Sequence, residues 1–232
     1  MISIVTVNWN SYDFLWLMIE SLQRYSSVPY ELVVIDNSQN RLRLNEKNVY
    51  QFFMPSNIGH GKGLNQGVTK ATEMFPKNPF IMFLDVDCHI LCHQWENKFV
   101  RSMKQYDLIG GRGPASKPIR PACMFMKKML AVRHDWSATE GYKGNRITPG
   151  GFDVAIKAFH HMVSEGVPIG FMESAKNRFG TANGEEWCLD GQPLVYHHWH
   201  GSSLEIRKED FPDIDLEKDK QKLFDRVPWR IP

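Results

Sequence analysis

Cysteine is scarce in this 232-residue chain: four are present, without the closely spaced pattern of small disulfide-bonded secreted domains. We therefore expect reduced thiols and a cytoplasmic location. Apolar runs long enough to cross a membrane are also missing, and no basic segment precedes the strand-like start of the chain. The sequence thus predicts neither a spanning helix nor a secretory signal. Internal repeats and low-complexity linkers are absent, which favours one domain over several.

Excess charge of either sign is missing too. With 28 Lys and Arg against 26 Asp and Glu, the net charge is +2. This balance favours no polyanionic partner, and we expect no nucleic-acid binding. Locally, however, the stretch between Asp107 and Asp135 contains no carboxylate. It is either a solvated face or a surface for phosphates, an anionic acceptor or the inner face of a membrane. Its six cations are Arg112, Lys117, Arg120, Lys127, Lys128 and Arg133.

One stretch of the chain is especially informative. Five apolar residues, Phe80–Leu84, run directly into Asp85-Val86-Asp87. A short, aromatic-rich run after a proline predicts a strand that is buried on both faces. Because side chains alternate along an extended chain, Asp85 and Asp87 would share one side at the carboxyl end of the strand, where open α/β sheets bind ligands. Two carboxylates there suit Mg²⁺ or Mn²⁺, and a solvated turn is the alternative.

The first hundred or so residues alternate between strand and helix patterns. β-Branched apolar runs predict strands at residues 2–7, 31–36 and 49–54. Apolar side chains at helical spacing predict helices across residues 14–25 and 64–75. This order predicts an α/β fold with a Rossmann-like, mostly parallel sheet and helices on both of its faces.

The second half of the chain has a different pattern. We expect a single domain of two abutting halves, in which residues 1–105 bind a nucleotide and residues 106–232 bind an acceptor and end in a charged tail. Residues 110–114 and 173–193 are rich in glycine or polar side chains and predict loops. Apolar side chains at helical spacing predict a helix over residues 153–165.

A glycine-rich turn at Asn57–Gly63 opens the second predicted helix. It is not a Walker loop, because Lys62 is followed by Gly63 rather than by Ser or Thr. It is not a dinucleotide fingerprint either, since the pattern Gly-x-Gly-x-x-Gly is incomplete and follows the third strand instead of the first. The remaining interpretation is a backbone that approaches a ligand closely at a helix N-terminus, with a cation in Lys62.

Two further groups each have a structural and a functional interpretation. Asp153, at the start of its predicted helix, is either an N-cap or a catalytic base. Cys88 and Cys92 lie beside His89 and His93, which resembles a soft-metal cluster. Their spacing matches no zinc motif, so we expect these cysteines to be buried packing residues.

Three histidines lie within residues 197–200. One of them could complete the coordination of an ion that Asp87 holds. If the segment is extended, His198 and His200 share a face and His197 lies opposite to them. The alternative is a polar surface loop without a ligand.

Taken in order, these motifs resemble the family-2 glycosyltransferases with a GT-A fold. The match covers about the first ninety residues well and the second half more loosely, through Gly150–Asp153 and His200–Ser202. The motifs of the first part are Ile4–Asn10, Leu32–Ser38, Asn57–Gly59 with Gly63, Asn65 and Gly67, and Phe83–Asp87.

The resemblance implies a metal-dependent enzyme that moves a sugar from a nucleoside-diphosphate sugar to a hydroxyl of a glycan or lipid-linked acceptor. UDP-sugars are the commonest donors in the family. An acid at the position of Asp153 deprotonates the acceptor, although the Glu that often precedes it is Phe152 here. Direct displacement by this route inverts the anomeric centre. Processive members carry a Gln-x-x-Arg-Trp motif and membrane helices; this chain has neither, so we expect single additions.

The resemblance also implies a set of ligand positions. Together with the histidine cluster, it predicts a Mn²⁺ or Mg²⁺ site at Asp85, Asp87 and His200, with His198 as the second choice among the histidines. The nucleotide-sugar-binding positions that it implies are Thr6, Val7, Asn8, Asp36, Asn57, Gly59, Lys62, Asn65, Asp85, Val86 and Asp87.

Two other functions remain open at this point. A sugar nucleotidyltransferase also joins a nucleotide-binding α/β sheet to paired carboxylates, but that class needs a glycine-rich, cationic loop where this chain has Asn8–Ser11. The non-enzyme alternative is an inactive domain that binds glycans or partner proteins. The presence of acids at Asp36, Asp85, Asp87 and Asp153 argues against it.

Overall fold

The computed structural model describes residues 1–113, 119–137, 154–175, 178–182, 184–198 and 215–227. Within these residues the chain forms ten strands and six helices. The strands are β1 (Ile2–Asn8), β2 (Tyr30–Asp36), β3 (Val49–Phe53), β4 (Phe80–Leu84), β5 (Cys88–Ile90), β6 (Leu108–Arg112), β7 (Ile119–Lys127), β8 (Ile169–Ala175), β9 (Glu185–Leu189) and β10 (Gln192–His197). The helices are α1 (Tyr12–Tyr25), α2 (His60–Met74), α3 (Trp95–Ser102), α4 (Lys128–Arg133), α5 (Ile156–Ser164) and α6 (Leu216–Arg226).

All ten strands belong to one sheet, in the order β3-β2-β1-β4-β7-β6-β8-β9-β10-β5. The first part of the sheet is parallel: β1 pairs with β2 and β4, and β2 pairs with β3. Beyond β4 the sheet is mixed, with β7 antiparallel to β4 and β8 parallel to β6. Because β1, β2 and β4 run in the same direction, their carboxyl ends at Asn8, Asp36 and Leu84 lie at one edge. The predicted α/β fold is confirmed.

Helices cover both faces of the parallel part of the sheet. Ile4 of β1 packs in the apolar cluster that contains Phe14 of α1, whereas the next residue, Val5, packs in the cluster that contains Leu64 of α2. Helix α2 lies unusually close to β1 because it has Gly67 at the contact, where a Cβ atom would lie 2.2 Å from Cγ1 of Val5. This close packing sets the N-terminus of α2 beside the carboxyl end of β1.

Two predicted loops are strands instead. Residues 110–112 extend β6, which pairs with β7. The predicted loop at 173–193 contains the end of β8 and the whole of β9, which forms a hairpin with β10. The turn residues Asp190 and Gly191 both have positive φ, at 52° and 73°. Asp-Gly is a pair that favours two-residue hairpins, so this turn signal was present in the sequence.

The last described helices differ in detail from the sequence prediction. Helix α5 begins at Ile156, and Asp153 lies outside the described residues. Helix α6 buries Leu223 and Phe224, and the Phe224 ring meets Phe14 edge-on at 5.5 Å, so this part of the predicted tail packs on the core. Among the helices that the structure describes, none combines the length and apolar composition that crossing a bilayer requires.

Candidate functional site

The site is built around the turn that follows β4. The backbone N–H of Asp85 donates to the Ala122 carbonyl at 2.8 Å, and the N–H of Cys88 donates back to the Asp85 carbonyl at 2.9 Å. The chain therefore turns between Asp85 and Cys88, so the strand alternation that was predicted for Asp85 and Asp87 does not apply. The turn is not a solvated one either, since Asp87 is only 3% exposed.

A pocket of about 180 Å³ opens at this turn. Four parts of the fold contribute to it: the end of β1, the end of β2, the N-terminus of α2 and the turn itself. Because these parts meet at the carboxyl edge of parallel strands, the pocket lies where α/β folds bind ligands. Its lining residues are Val7, Trp9, Asn37, Asn57, Gly59, His60, Asp85 and Val86.

Asp85 is the acid that faces the pocket. Its Oδ1 atom lies 3.1 Å from Nε2 of His60, at the start of α2. Burial alone favours the neutral acid, but the charge and hydrogen bond of His60, with the charge of His197, outweigh this effect and lower the pKa of Asp85 below its ordinary value of 3.8. Asp85 is therefore ionised at neutral pH.

Asp87 and His197 form a second, more deeply buried part of the site. Nε2 of His197 lies 3.7 Å from Oδ1 of Asp87, and Cys88 brings its sulfur within 4.8 Å of both ligand atoms. The Cys88 thiol donates to the Ala122 carbonyl at 3.4 Å. Burial, followed by the charges of Asp87 and Asp85, raises the pKa of Cys88 well above its usual value, which disfavours the thiolate. The Asp87 carboxylate and the His197 imidazole are ligands that fit Mn²⁺.

His198 lies on the other side of its strand from His197. Its Nδ1 atom is 3.0 Å from the Tyr196 hydroxyl, and its ring stacks on Phe14 at 5.4 Å. Burial lowers the pKa of His198 to about 4. The position of His198 does not fit the second-choice metal ligand that the sequence suggested, because the histidine that faces Asp87 is His197. The first choice, His200, lies outside the described residues.

Asp36 is a fully buried hydrogen-bonding centre rather than a pocket-lining group. Its Oδ1 atom accepts from Nδ2 of Asn8 at 3.3 Å and from the Ser38 backbone N–H at 3.0 Å. Its Oδ2 atom accepts from the Tyr12 hydroxyl at 2.8 Å and from Nε2 of Gln51 at 2.6 Å. Asp36 thus links the ends of β1 and β2 to the start of α1 and the middle of β3, and Asn8 is part of the same network.

The residues beside Asp36 and Asn8 reach the pocket instead. Asn37 and Trp9 both line it. Within the described part of the chain, Oδ1 of Asn37 and Nε1 of Trp9 are buried without a hydrogen-bond partner. Buried polar atoms are normally paired, so these two atoms are the groups with which a ligand would bond. The sequence analysis did not single out Trp9 and Asn37. A signal was available, because side chains alternate along an extended chain, so these two residues face the opposite way from Asn8 and Asp36.

The other predicted positions are distributed as follows. Gly59 directly precedes α2 and has a φ of 84°, and its backbone N–H donates to Oδ1 of Asn57 at 2.9 Å. Lys62 is exposed in the first turn of α2. Thr6 is buried at the end of β1, with no hydrogen-bond partner for its hydroxyl among the described residues. Asn65 lies outside the pocket lining and binds the segment after α4, accepting from the Trp136 N–H at 2.9 Å.

The basic segment between Asp107 and Asp135 offers few free charges. Nε of Arg112 donates to Glu173 at 2.8 Å, and Nζ of Lys127 pairs with Asp107. Arg133 pairs with Glu165 through a short contact of 2.5 Å. Acidic partners therefore account for three of the six cations on which the prediction of an anion-binding surface rested, and Nζ of Lys128 donates to the Pro76 carbonyl. Lys117 lies outside the described residues.

Comparison with known proteins agrees with this geometry. The sequence model described as glycosyl transferase family 2 matches residues 3–159. No curated protein matches the chain. The structure of TarS 1–349 from S. aureus, also solved with UDP, is similar with a TM-score of 0.54 at 16% identity, over 96% of this chain and 69% of that one. The mannosyltransferase PcManGT from Pyrobaculum calidifontis, in complex with GDP-Man and Mn²⁺, has a TM-score of 0.51 at 12% identity, over 77% of this chain and 58% of that one. At such identities the likeness shows a shared GT-A fold.

Proposed function

Because the chain belongs to glycosyl transferase family 2, we propose that it transfers one sugar per reaction from a nucleoside-diphosphate sugar to a hydroxyl acceptor, using a divalent cation and inverting the anomeric centre. The observation that carries the proposal is the single pocket that joins Asn37 and Trp9 to Asp85. Asp87 and His197 lie next to it, since the charge of His197 acts on Asp85.

The nucleoside end of the donor binds at Trp9 and Asn37. Trp9 supplies an apolar ring and an N–H donor, and Asn37 supplies a carbonyl oxygen; neither polar atom has a hydrogen-bond partner in the described part of the chain. Val7 adds apolar contact, while Asp36 and Asn8 hold these two residues in place from behind. We propose a UDP-sugar as the donor, as TarS was solved with UDP. PcManGT was solved with GDP-Man, so GDP-sugars are the comparison to make.

The diphosphate binds at the N-terminus of α2. The first N–H groups of a helix have no intrahelical acceptor, and the helix dipole favours negative charge there. Gly59 and His60 line the pocket at this point, and Gly59 has no side chain to keep a phosphate away from the backbone. Lys62 in the same turn adds positive charge.

The cation site consists of Asp85, Asp87 and His197, with His200 as a further ligand from the sequence. The donor chemistry fits Mn²⁺ or Mg²⁺, because Asp87 and His197 bring a carboxylate oxygen and an imidazole nitrogen within 4.8 Å of each other and Asp85 lies close enough for the charge of His197 to act on it. When bound, such an ion supplies positive charge beside the diphosphate that leaves. Asp85 stays ionised for this role, since His60 and His197 lower its pKa.

The acceptor hydroxyl loses its proton to Asp153. A carboxylate on the opposite side of the sugar from the diphosphate can accept this proton as the new glycosidic bond forms, and such a displacement inverts the anomeric centre. Asp153 is three residues before α5 in the sequence. The acceptor that we propose is a glycan or a lipid-linked sugar.

A two-step assay tests this function. Thermal shift with UDP-sugars and GDP-sugars, with and without Mn²⁺, reports donor binding, and diphosphate release in the presence of a panel of glycosides reports transfer. We expect a Mn²⁺-dependent shift with one donor class and acceptor-dependent release of the diphosphate. Pyrophosphate release from a nucleoside triphosphate and a sugar phosphate would instead identify a nucleotidyltransferase. The absence of any nucleotide-dependent shift would leave only a domain that binds glycans or partners.

A further inference from the structure

Three side chains with metal-ligating groups meet at the ends of α4 and α5. His134 directly follows α4, His161 lies in the last two turns of α5, and Glu165 directly follows α5. One ligand atom from each residue lies within 4.8 Å of the other two. None of the three lines the pocket at Asp85. This cluster is therefore separate from the cation site that we propose for the glycosyl transfer.

The distance between the two imidazoles matches a shared ion. Nδ1 of His134 lies 3.4 Å from Nδ1 of His161. Zinc–nitrogen bonds are about 2.0–2.1 Å long in a tetrahedral site, which sets two nitrogens about 3.3–3.4 Å apart. The competing explanation is a long hydrogen bond between two neutral rings. That bond would be weak, since good nitrogen donors approach to about 3.0 Å.

The surroundings of His134 favour the ion over the hydrogen bond. The His134 side chain is only 3% exposed. Among the described residues its Nε2 atom has no hydrogen-bond partner, and Oε2 of Glu165 lies 3.9 Å away. In a hydrogen bond between the two Nδ1 atoms only one nitrogen can be the donor and the other the acceptor, whereas one cation can bind both. A cation between the facing Nδ1 atoms would engage both rings, and the Glu165 carboxylate, which brings an oxygen within 4.8 Å of a ligand atom of each ring, would complete the site.

Glu165 is held in position for this role. Its Oε1 atom pairs with Arg133 and lies 3.6 Å from Nε2 of His161, while Oε2 faces His134. Carboxylate ligands of metals are commonly oriented by such an outer partner. His161 and Glu165 are four residues apart, so they project from the same side at the end of the helix. The pairing with Arg133 leaves one carboxylate oxygen for the ion.

We propose that His134, His161 and Glu165 form a Zn²⁺ site of two imidazoles and one carboxylate. Two nitrogens and one oxygen are ligands that Zn²⁺ takes in tetrahedral sites. The fourth position is open to solvent, since the His161 side chain is 60% exposed. The ion would tie the end of α4 to α5, the helix that follows Asp153 by three residues in the sequence.

Zinc binding is measured on the full chain after removal of bound metals with a chelator. The Asp87→Asn variant is the starting protein, because it lacks one ligand of the other cation site. We expect it to bind one Zn²⁺ per chain in equilibrium dialysis and to be stabilised by Zn²⁺ in thermal unfolding. Co²⁺ in place of Zn²⁺ should give the visible absorption of a tetrahedral complex, which reports the geometry directly.

Three further variants, each made in the Asp87→Asn protein, assign the ligands. His161→Ala and Glu165→Gln each should weaken Zn²⁺ binding at least tenfold and abolish the Co²⁺ spectrum. Both positions are exposed enough to be changed without unfolding the protein. The matched control is His160→Ala, an exposed histidine one residue away on α5, and it should leave binding unchanged. Absence of Zn²⁺ binding in the Asp87→Asn protein, or equal affinity in the His161→Ala and His160→Ala proteins, would overturn the proposal and leave a hydrogen-bonded pair of histidines.

Discussion

The Nε2 atom of His197 lies 3.7 Å from Oδ1 of Asp87, and both side chains are nearly buried. His197 is the last residue of β10 and pairs with Cys88 in the neighbouring strand, which brings it to the turn after β4. An acid and an imidazole at this distance beside a second carboxylate are well placed to share a divalent cation. This arrangement is the basis of the proposed cation site.

His197→Ala should therefore weaken Mn²⁺ binding by roughly tenfold or more, because it removes one ligand and leaves Asp87 without its neighbouring imidazole. The measurement is the Mn²⁺ concentration needed for half-maximal nucleotide binding. His93→Ala, at an exposed position, is the control and should not change this concentration. If the two variants behave alike, the histidine ligand lies elsewhere, and His200→Ala is then the variant to test.

Asp36 and Asn37 should behave differently although they are adjacent. Asp36→Ala removes the acceptor of four hydrogen bonds and leaves buried donors unpaired, so it should lower the free energy of unfolding by about 2–4 kcal/mol. Asn37→Ala should leave stability nearly unchanged and weaken nucleotide binding several-fold, because Asn37 lines the pocket and its carbonyl oxygen has no hydrogen-bond partner among the residues that the structure describes. Urea unfolding and nucleotide titration separate the two effects.

The opposite pattern, in which Asn37→Ala unfolds the protein and Asp36→Ala only loses nucleotide, would contradict these roles. Asn40→Ala serves as the control for both variants, because Asn40 is exposed just beyond the same strand.

Asp153→Asn should retain donor binding and lose transfer. An amide cannot accept the acceptor proton, and a positioned general base contributes about 10²- to 10⁴-fold to rate. The measurement is the rate of acceptor-dependent diphosphate release, with the nucleotide affinity of the same variant as its control. Full activity would show that Asp153 is not the general base, and lost donor binding would place it in the nucleotide site.

Acid should destabilise the protein through its buried histidines. Burial lowers the pKa of His198 to about 4, compared with about 6.5 in the unfolded chain. The unfolded state therefore takes up the proton first, so the stability present above pH 6.5 is lost as pH falls towards 4. Burial likewise lowers the pKa of His89 well below its usual value.

His89→Phe should reduce this acid sensitivity. Among the described residues, neither ring nitrogen of His89 has a hydrogen-bond partner, and the ring stacks between Phe14 and Tyr196. A phenyl ring keeps the stacking and buries no polar atom, so the variant should gain about 1 kcal/mol at neutral pH and more at pH 5. Urea unfolding at the two pH values measures both gains; a less stable variant would show that the His89 nitrogens are satisfied after all.

Local sequence patterns predicted the parallel part of the fold. The apolar runs of β1, β2 and β4 are buried on both faces, and such runs alternate with helices only in a parallel arrangement. The same order predicts that the carboxyl ends of these strands meet at one edge, and from there the site around Asp85 follows.

The assignment of individual side chains could not be predicted in the same way. Asp36 bonds with Tyr12 and Gln51, which are 24 and 15 residues away, and no local pattern shows that these partners occupy its oxygens. The turn at Asp85 depends on the Ala122 carbonyl of β7, a partner that is still farther away in the sequence. Whether His197 or His198 faces Asp87 depends on the register of β10 with β5, and only the assembled sheet fixes this register.

The most direct test of the active-site account is calorimetric titration of UDP into the wild-type protein and into Asp87→Asn, each with and without Mn²⁺. The matched control is Asp190→Asn in the β9–β10 turn, where the backbone has a φ of 52° that Asn tolerates. We predict that Mn²⁺ strengthens UDP binding in the wild-type and control proteins and has no effect on Asp87→Asn. An equal Mn²⁺ effect in all three proteins would contradict the claim that the acids after β4 hold the cation.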